Sequence, residues 1–169
     1  MNDLNVNYIP GTLICVTMTT GTRWLNSEQQ VAWRAYLLGT ARLMAKLDDD
    51  LRQFGLGIND YEILVRLSEA PDRRLRMAEL ADRLHQSRSR LTHTVGRLEA
   101  ADLVRRTSCT SDKRGVWAEL TDAGFGLLET AAPYHVEGVR ENLVDLVSAE
   151  DFAAVGRVFD TVSEHIGQR

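Results

Sequence analysis

The 169-residue sequence has two cysteines, Cys15 and Cys109, too few for a disulfide framework, so a reducing, cytoplasmic setting is expected. Three prolines and twelve glycines are too few for a collagen-like or linker-like chain. No stretch approaches the roughly 18 consecutive apolar residues of a conventional membrane-spanning helix. Residues 1–23 carry Asp3 and no Lys or Arg before Arg23, and their apolar run Leu13-Ile14-Cys15-Val16 is short, so a secretory signal is not expected. His85, His93, His135 and His165 are scattered, with no Cys or His at zinc-motif spacing. There is also no Gly-rich phosphate loop and no Ser/His/Asp arrangement. The sequence therefore predicts no enzyme, no metal site and no cofactor.

What is present is ordinary globular composition, 44% hydrophobic and 26% charged, in a chain long enough for one domain with helical extensions. The net charge of −4 argues against nucleic acid only on average. Between Arg73 and Arg114 eleven Lys and Arg face five Asp and Glu, so this segment carries +6 and the remainder −10. Such a block reads either as a localised anion-binding surface or as a solvated face whose arginines pair with acids.

Amphipathic patterns flank that block. Asn26 and Gln29 form a capping-box pattern, and Trp33, Leu37, Met44, Leu47, Leu51 and Phe54 follow at helical spacing before Gly55 and Gly57. Asp48-Asp49-Asp50, near the end of this long helix, reads as a solvated face. A second box, Asn59 to Glu62, predicts a short helix bearing Ile63, Leu64 and Leu67, ending at Ala70-Pro71-Asp72-Arg73. Thr121 caps a pattern running from Phe125 to Leu146, with a kink expected at Pro133. Ser148 and Asp151 open a last helix whose Phe152, Val155, Phe159, Val162 and Ile166 form one apolar stripe. Intersubunit packing would use these stripes, with core packing as the alternative.

Inside the basic block, Met77 to Leu84 fits a short helix with Leu80, Ala81 and Leu84 inward. After His85-Gln86-Ser87, Ser87 caps a second helix with Leu91, Val95 and Leu98 buried and Arg88, Ser89, Arg90, Thr92, His93 and Arg97 on the other side. The pair is a helix-turn-helix pattern. Leu103 to Ser108, a polar loop containing Asp112-Lys113-Arg114-Gly115, and Val116 to Leu120 read as a strand, tip and returning strand. A hairpin directly after such a helix makes a winged helix: helix donors reach base edges in the major groove, and wing cations reach phosphates or the minor groove. The predicted fold class is mainly α with a small β wing (α+β).

The runs Leu80-Ala81-Asp82-Arg83-Leu84, Ser87 to His93, Arg97 to Val104, Asp112-Lys113-Arg114 and Leu120-Thr121-Asp122-Ala123-Gly124 resemble the MarR family, the multiple antibiotic resistance regulators. The resemblance spans about residues 24–166. It implies an obligate homodimer on a pseudo-palindromic double-stranded DNA operator, usually as a repressor, and in many members release by a small anionic or phenolic ligand. It implies an arm at 1–23, a dimerisation helix at 24–58, a winged helix-turn-helix at 59–120 and dimerisation helices at 121–169. DNA contacts are expected from Ser87, Arg88, Ser89, Arg90, Thr92, His93, Arg97, Lys113 and Arg114, with Asp112 orienting the wing arginine. Arg88 or Arg90 could pair with a guanine or hold a phosphate; Arg97 reads as a phosphate clamp or a structural ion pair. His93 departs from the family's frequent Arg, which removes a permanent charge. Trp33, Tyr36 and Tyr134 are candidate linings of the ligand cleft or ordinary core, and Trp117 reads as core. Thiol sensing at Cys109 and metal sensing at His85 or His135 are minor alternatives. The rival to the whole reading is a winged-helix module without ligand response, serving general DNA binding or protein assembly.

Overall fold

A computed structural model describes residues 21–108 and 115–167. Cys15, Cys109, Asp112, Lys113, Arg114 and most of the 1–23 arm lie outside the described residues. The chain divides into two units between Leu37 and Leu38, and helix α1 (Ser27–Leu51) carries residues of both.

In the first unit the expected capping box is formed. The Asn26 backbone N–H donates to Gln29 Oε1 at 3.0 Å, and the Gln29 N–H donates to Asn26 Oδ1 at 2.8 Å. These bonds satisfy two groups at a helix start that have no partner within the helix. Trp33 stacks on Tyr36 one turn later, with ring centroids 5.5 Å apart, and both rings are exposed.

The second unit begins with the rest of α1, which tightens into a 3-10 turn at Arg52–Phe54 and stops at Gly55, whose φ of 70° favours glycine. There follow α2 (Ile58–Ser68), β1 (Arg74–Arg76), α3 (Met77–Arg83), α4 (Arg88–Ala100), β2 (Val104–Ser108), β3 (Val116–Leu120), α5 (Asp122–Asn142) and α6 (Ala149–Gly167). The strands form one antiparallel sheet in the order β1-β3-β2, with Leu75 opposite Ala118 and Val104 opposite Leu120. One core joins α2, α3, α4 and the sheet. Ile63, Leu64, Leu67, Leu80, Leu91, Val95, Val104 and Ala118 are fully or almost fully buried in it.

Four expectations need correction, and one strand was not expected. The second helix begins at Ile58, not after Asn59: the Asp60 carboxylate, in the third helical position, accepts from the Gly57 N–H at 3.0 Å. Asn59 instead accepts from Gln86 Nε2 at 3.2 Å. The acidic run of α1 is more than a solvated face, because Asp48 Oδ1 accepts from the Ile58 N–H at 2.8 Å and so caps α2 from ten residues upstream. That bond holds the Asp48 carboxyl below its ordinary value. α5 ends at Asn142, short of the expected run to Leu146, and gives way to a 3-10 turn at Val144–Leu146; Pro133 lies inside the helix. Strand β1, absent from the sequence reading, is three residues long and exists by pairing with β3. Trp117 is only half-buried, and its ring faces two arginines.

The caps Thr121 and Ser148 are as expected, accepting from the Gly124 and Asp151 N–H groups at 2.9 and 3.1 Å. In α6 no residue is buried, and the stripe from Phe152 to Ile166 is 39–65% exposed.

Candidate nucleic-acid interface

The helix-turn-helix is built by α3, a turn and α4. His85 takes a left-handed conformation, φ 49°, which lets the Gln86 N–H reach back to Ala81 O at 3.0 Å. Gln86 is tied to α2 through Asn59, so the turn is anchored from outside the motif. Ser87 leaves the helical conformation, with φ −64° and ψ 144°, and its Oγ accepts from the Arg90 N–H at 3.3 Å. Leu91, Val95 and Leu98 then bury the inner stripe of α4, joined by Thr94, whose hydroxyl donates to Arg90 O at 3.1 Å.

The opposite side carries Arg88, Ser89, Arg90, Thr92 and His93, all exposed. Thr92 donates its hydroxyl to Arg88 O at 2.7 Å, which leaves lone pairs but no free proton for a base or phosphate. Arg97 also points off α4, but it is engaged: Nη2 meets Asp60 Oδ1 at 2.6 Å, and Asp60 is 4% exposed. The same carboxylate therefore caps α2 and holds the C-terminal half of α4. Of the two roles considered for Arg97, the structure displays the ion pair.

Both readings of the basic block apply, to different arginines. Arg73 pairs with Asp122, Arg74 with Asp72, Arg83 with Glu79, Arg105 with Glu119 and Arg106 with Glu99. Glu99, in the last turn of α4, accepts from the Arg106 N–H at 3.0 Å and from its Nε at 2.8 Å, clamping α4 to β2. Arg88 and Arg90 make no ion pair among the described residues. Their charge is uncompensated locally and directed to solvent, the condition in which a guanidinium can bind an external phosphate or guanine at little desolvation cost.

The hairpin of β2 and β3 follows α4 as expected, in register from Val104 opposite Leu120 to Ser108 opposite Val116. Its tip, with Asp112, Lys113 and Arg114, lies outside the described residues. The root is fastened to α5: the Thr121 N–H donates to Leu103 O at 3.1 Å, and the Thr121 hydroxyl lies 2.7 Å from Asp102 O. A Cβ on Gly124 would lie 2.1 Å from Leu103 O, so only glycine lets α5 start this close to the wing strand. That is the physical content of the Leu-Thr-x-x-Gly run at 120–124.

A sequence model described as MarR family matches residues 54–115. AbsC of Streptomyces coelicolor, a MarR family transcriptional regulator, is 44% identical and superposes with a TM-score of 0.83 over 88% of this chain and 100% of its own. The chain belongs to the MarR family of transcriptional regulators. Sco3205 of the same organism, a MarR family regulator solved in complex with DNA, is 43% identical with a TM-score of 0.83, over 85% of this chain and 91% of that one. The HTH-type transcriptional repressor YetL of Bacillus subtilis is 32% identical over 64% of this chain and 67% of its own length. The fold is that of the family's winged helix. These relatives are described as transcriptional regulators.

Outside the winged helix, Tyr134 on α5 packs against Phe54 with centroids 5.1 Å apart and remains exposed. His135, next to it, lies 4.5 Å from the ring of Tyr61. Its Nδ1 is buried without a hydrogen-bond partner among the described residues, and burial pushes the imidazole pKa down. Neither this pair nor the Asp60–Arg97 bridge was read from the sequence. Among the described residues no group of three or more His, Cys, Asp or Glu is arranged to hold a metal ion, and no helix is long and apolar enough to cross a membrane.

Proposed function

We propose that this MarR-family member is a sequence-specific, cytoplasmic repressor that binds a pseudo-palindromic DNA operator as a homodimer. The observation that carries the reading is the exposed Arg88/Arg90 face of α4, free of ion pairs among the described residues while the arginines around it are paired. The DNA complex of the 43% identical Sco3205 and the repressor description of YetL support it. α4 enters the major groove, where Arg88 and Arg90 take guanine edges or phosphates, Ser89 and His93 add neutral contacts, and Lys113 and Arg114, oriented by Asp112, reach from the wing. The exposed α6 stripe is the surface a second copy covers. In the dimer the two α4 helices must stand about one DNA turn, roughly 34 Å, or a multiple apart. Release by a small anionic or phenolic ligand belongs to the same reading, as exclusion between two dimer geometries. With Trp33 exposed and stacked, quenching of its fluorescence by phenolic carboxylates tests that part.

The deciding experiment is fluorescence anisotropy of duplex DNA from the gene's own upstream region against a scrambled duplex, across a salt series. Preference for the upstream duplex at one dimer per site is expected, and Arg90→Ala is expected to relax the preference. An equal loss on every sequence reduces Arg90 to a phosphate contact. Equal binding to both duplexes by the wild type refutes operator specificity, and no binding at low salt transfers the module to protein assembly.

A further inference from the structure

Residues 57–60, at the start of α2, are the meeting point of three helices. The Gly57 N–H donates to Asp60 Oδ2 at 3.0 Å, and the Ile58 N–H donates to Asp48 Oδ1 of α1 at 2.8 Å. Gln86 Nε2, just before α4, donates to Asn59 Oδ1 at 3.2 Å, and Arg97 Nη2, in the second half of α4, donates to Asp60 Oδ1 at 2.6 Å. The junction is tight: a Cβ on Gly57 would lie 3.1 Å from Asp48 Oδ1 and 3.6 Å from Asp60 Oδ2. We propose that Asn59 and Asp60 are positioning residues for DNA recognition, setting the rotation of α4 about its axis and, through Asp48, referring it to α1.

The inference rests on the DNA-binding reading. Arg88 and Arg90 lie between the two attached positions, Gln86 and Arg97, which stand roughly 15 Å apart along α4 at about 1.5 Å of rise per residue. Two attachments so far apart fix an orientation, where one would leave a pivot. Burial of Leu91, Val95 and Leu98 keeps α4 on the core, but apolar contact is non-directional. Hydrogen bonds weaken steeply as their angles close, so they oppose a turn of the helix that apolar packing would tolerate. A guanidinium reading a guanine edge makes two parallel bonds and tolerates little misplacement. Asp60 is suited to the task, since it is 4% exposed and its two oxygens serve different helices, Oδ2 the start of α2 and Oδ1 the side of α4. A cleft of about 420 Å³ separates the end of α1 from α4 here, bordered by Asp48, Arg52, Asn59, Asp60 and Arg97. The link between the two helices therefore runs around the cleft, through residues 57–60.

The test uses the full chain, its preferred duplex and a scrambled one. Asn59→Ala and Gln86→Met, which keeps the size of the side chain but not the donor, should each lower the preference between the duplexes about fivefold, the worth of one ordinary hydrogen bond. The double variant should lose no more than either single one, and Asn59→Asp, which keeps the acceptor, should retain the preference. Asp60→Asn, which weakens the pairing with Arg97, should lower it as well. Asn59→Ala and Gln86→Met should leave the affinity for the scrambled duplex and its salt slope unchanged, because neither removes a cation. Thermal unfolding by circular dichroism shows which variants are folded, and Gln86→Met breaks the same bond from the other side should Asn59→Ala fail to fold. Duplexes with the half-sites moved together or apart by one base pair test the link to α1: wild type should favour one spacing, and Asp48→Ala should blur that choice. An undiminished preference in Asn59→Ala and Gln86→Met, an equal loss on both duplexes, or additive losses in the double variant overturns the inference alone. A spacing preference unaltered by Asp48→Ala removes α1 from it. A wild type that prefers neither duplex overturns the operator reading and this inference with it.

Discussion

Gly124 and Gly126 sit two residues apart in the same helix, and the same substitution at the two should act in opposite directions. At Gly124 a new Cβ would lie 2.1 Å from Leu103 O and 2.8 Å from Leu120 Cδ1. The first contact is with backbone, so α5 and the start of β2 must separate by about 1 Å, and overpacking of this kind costs roughly 1–3 kcal/mol. Separation also strains the Thr121 bonds to Asp102 O and Leu103 O, at about 1 kcal/mol each. Against this, alanine gains about 1 kcal/mol of helix propensity over glycine. The balance for Gly124→Ala is a loss of about 2–4 kcal/mol, or roughly 4–16 °C in Tm for a chain of this size. At exposed Gly126 a Cβ meets nothing within 4 Å, so only the propensity gain remains, about 0.5–1 kcal/mol in favour of Gly126→Ala. Urea unfolding followed by circular dichroism, at one fixed protein concentration, measures both. If the midpoints move in the same direction, the close approach of α5 to the wing root is refuted.

Other consequences follow from the polar contacts and the exposed stripe. Asp60→Ala removes the Gly57 cap and the partner of Arg97 together. Because Arg97 itself is 63% exposed the bridge is discounted, and a loss of about 2 kcal/mol in urea unfolding is expected, against less than half of that for Asp60→Asn, which keeps an acceptor for the cap. Burial lowers the pKa of His135 in the folded chain, so the unfolded chain binds more protons. Stability should therefore fall as pH drops below the ordinary histidine value of 6.5 toward the lowered one, and His135→Gln should flatten that part of the profile in thermal melts between pH 7.5 and 5. Val155→Asp, on the exposed α6 stripe, should shift sedimentation from dimer toward monomer, and an unchanged dimer would take α6 out of the interface.

What could be read from the sequence depended on the range of each interaction. The caps at Asn26, Thr121 and Ser148 and the cap at Ser87 are bonds between residues three apart, so the pattern and the contact coincide. The inner stripe of α4 was equally legible, because helical period alone places Leu91, Val95 and Leu98 on one face. The missed features join residues far apart in the chain. Asp48 caps α2 from ten positions away, Asp60 reaches Arg97 across thirty-seven, and β1 has no strand character apart from its register with β3. Local spacing gave Asp60 no distinction from Asn59, and the wrong member of that pair was chosen as the cap. Period also says which face of a helix is apolar without saying what covers it. The stripe of α4 and the stripe of α6 look alike in sequence, yet α4 buries its stripe within the chain and α6 buries none of its residues. Five large apolar side chains of one helix stand exposed in the single chain, and that exposure is the observation on which the proposed dimer rests.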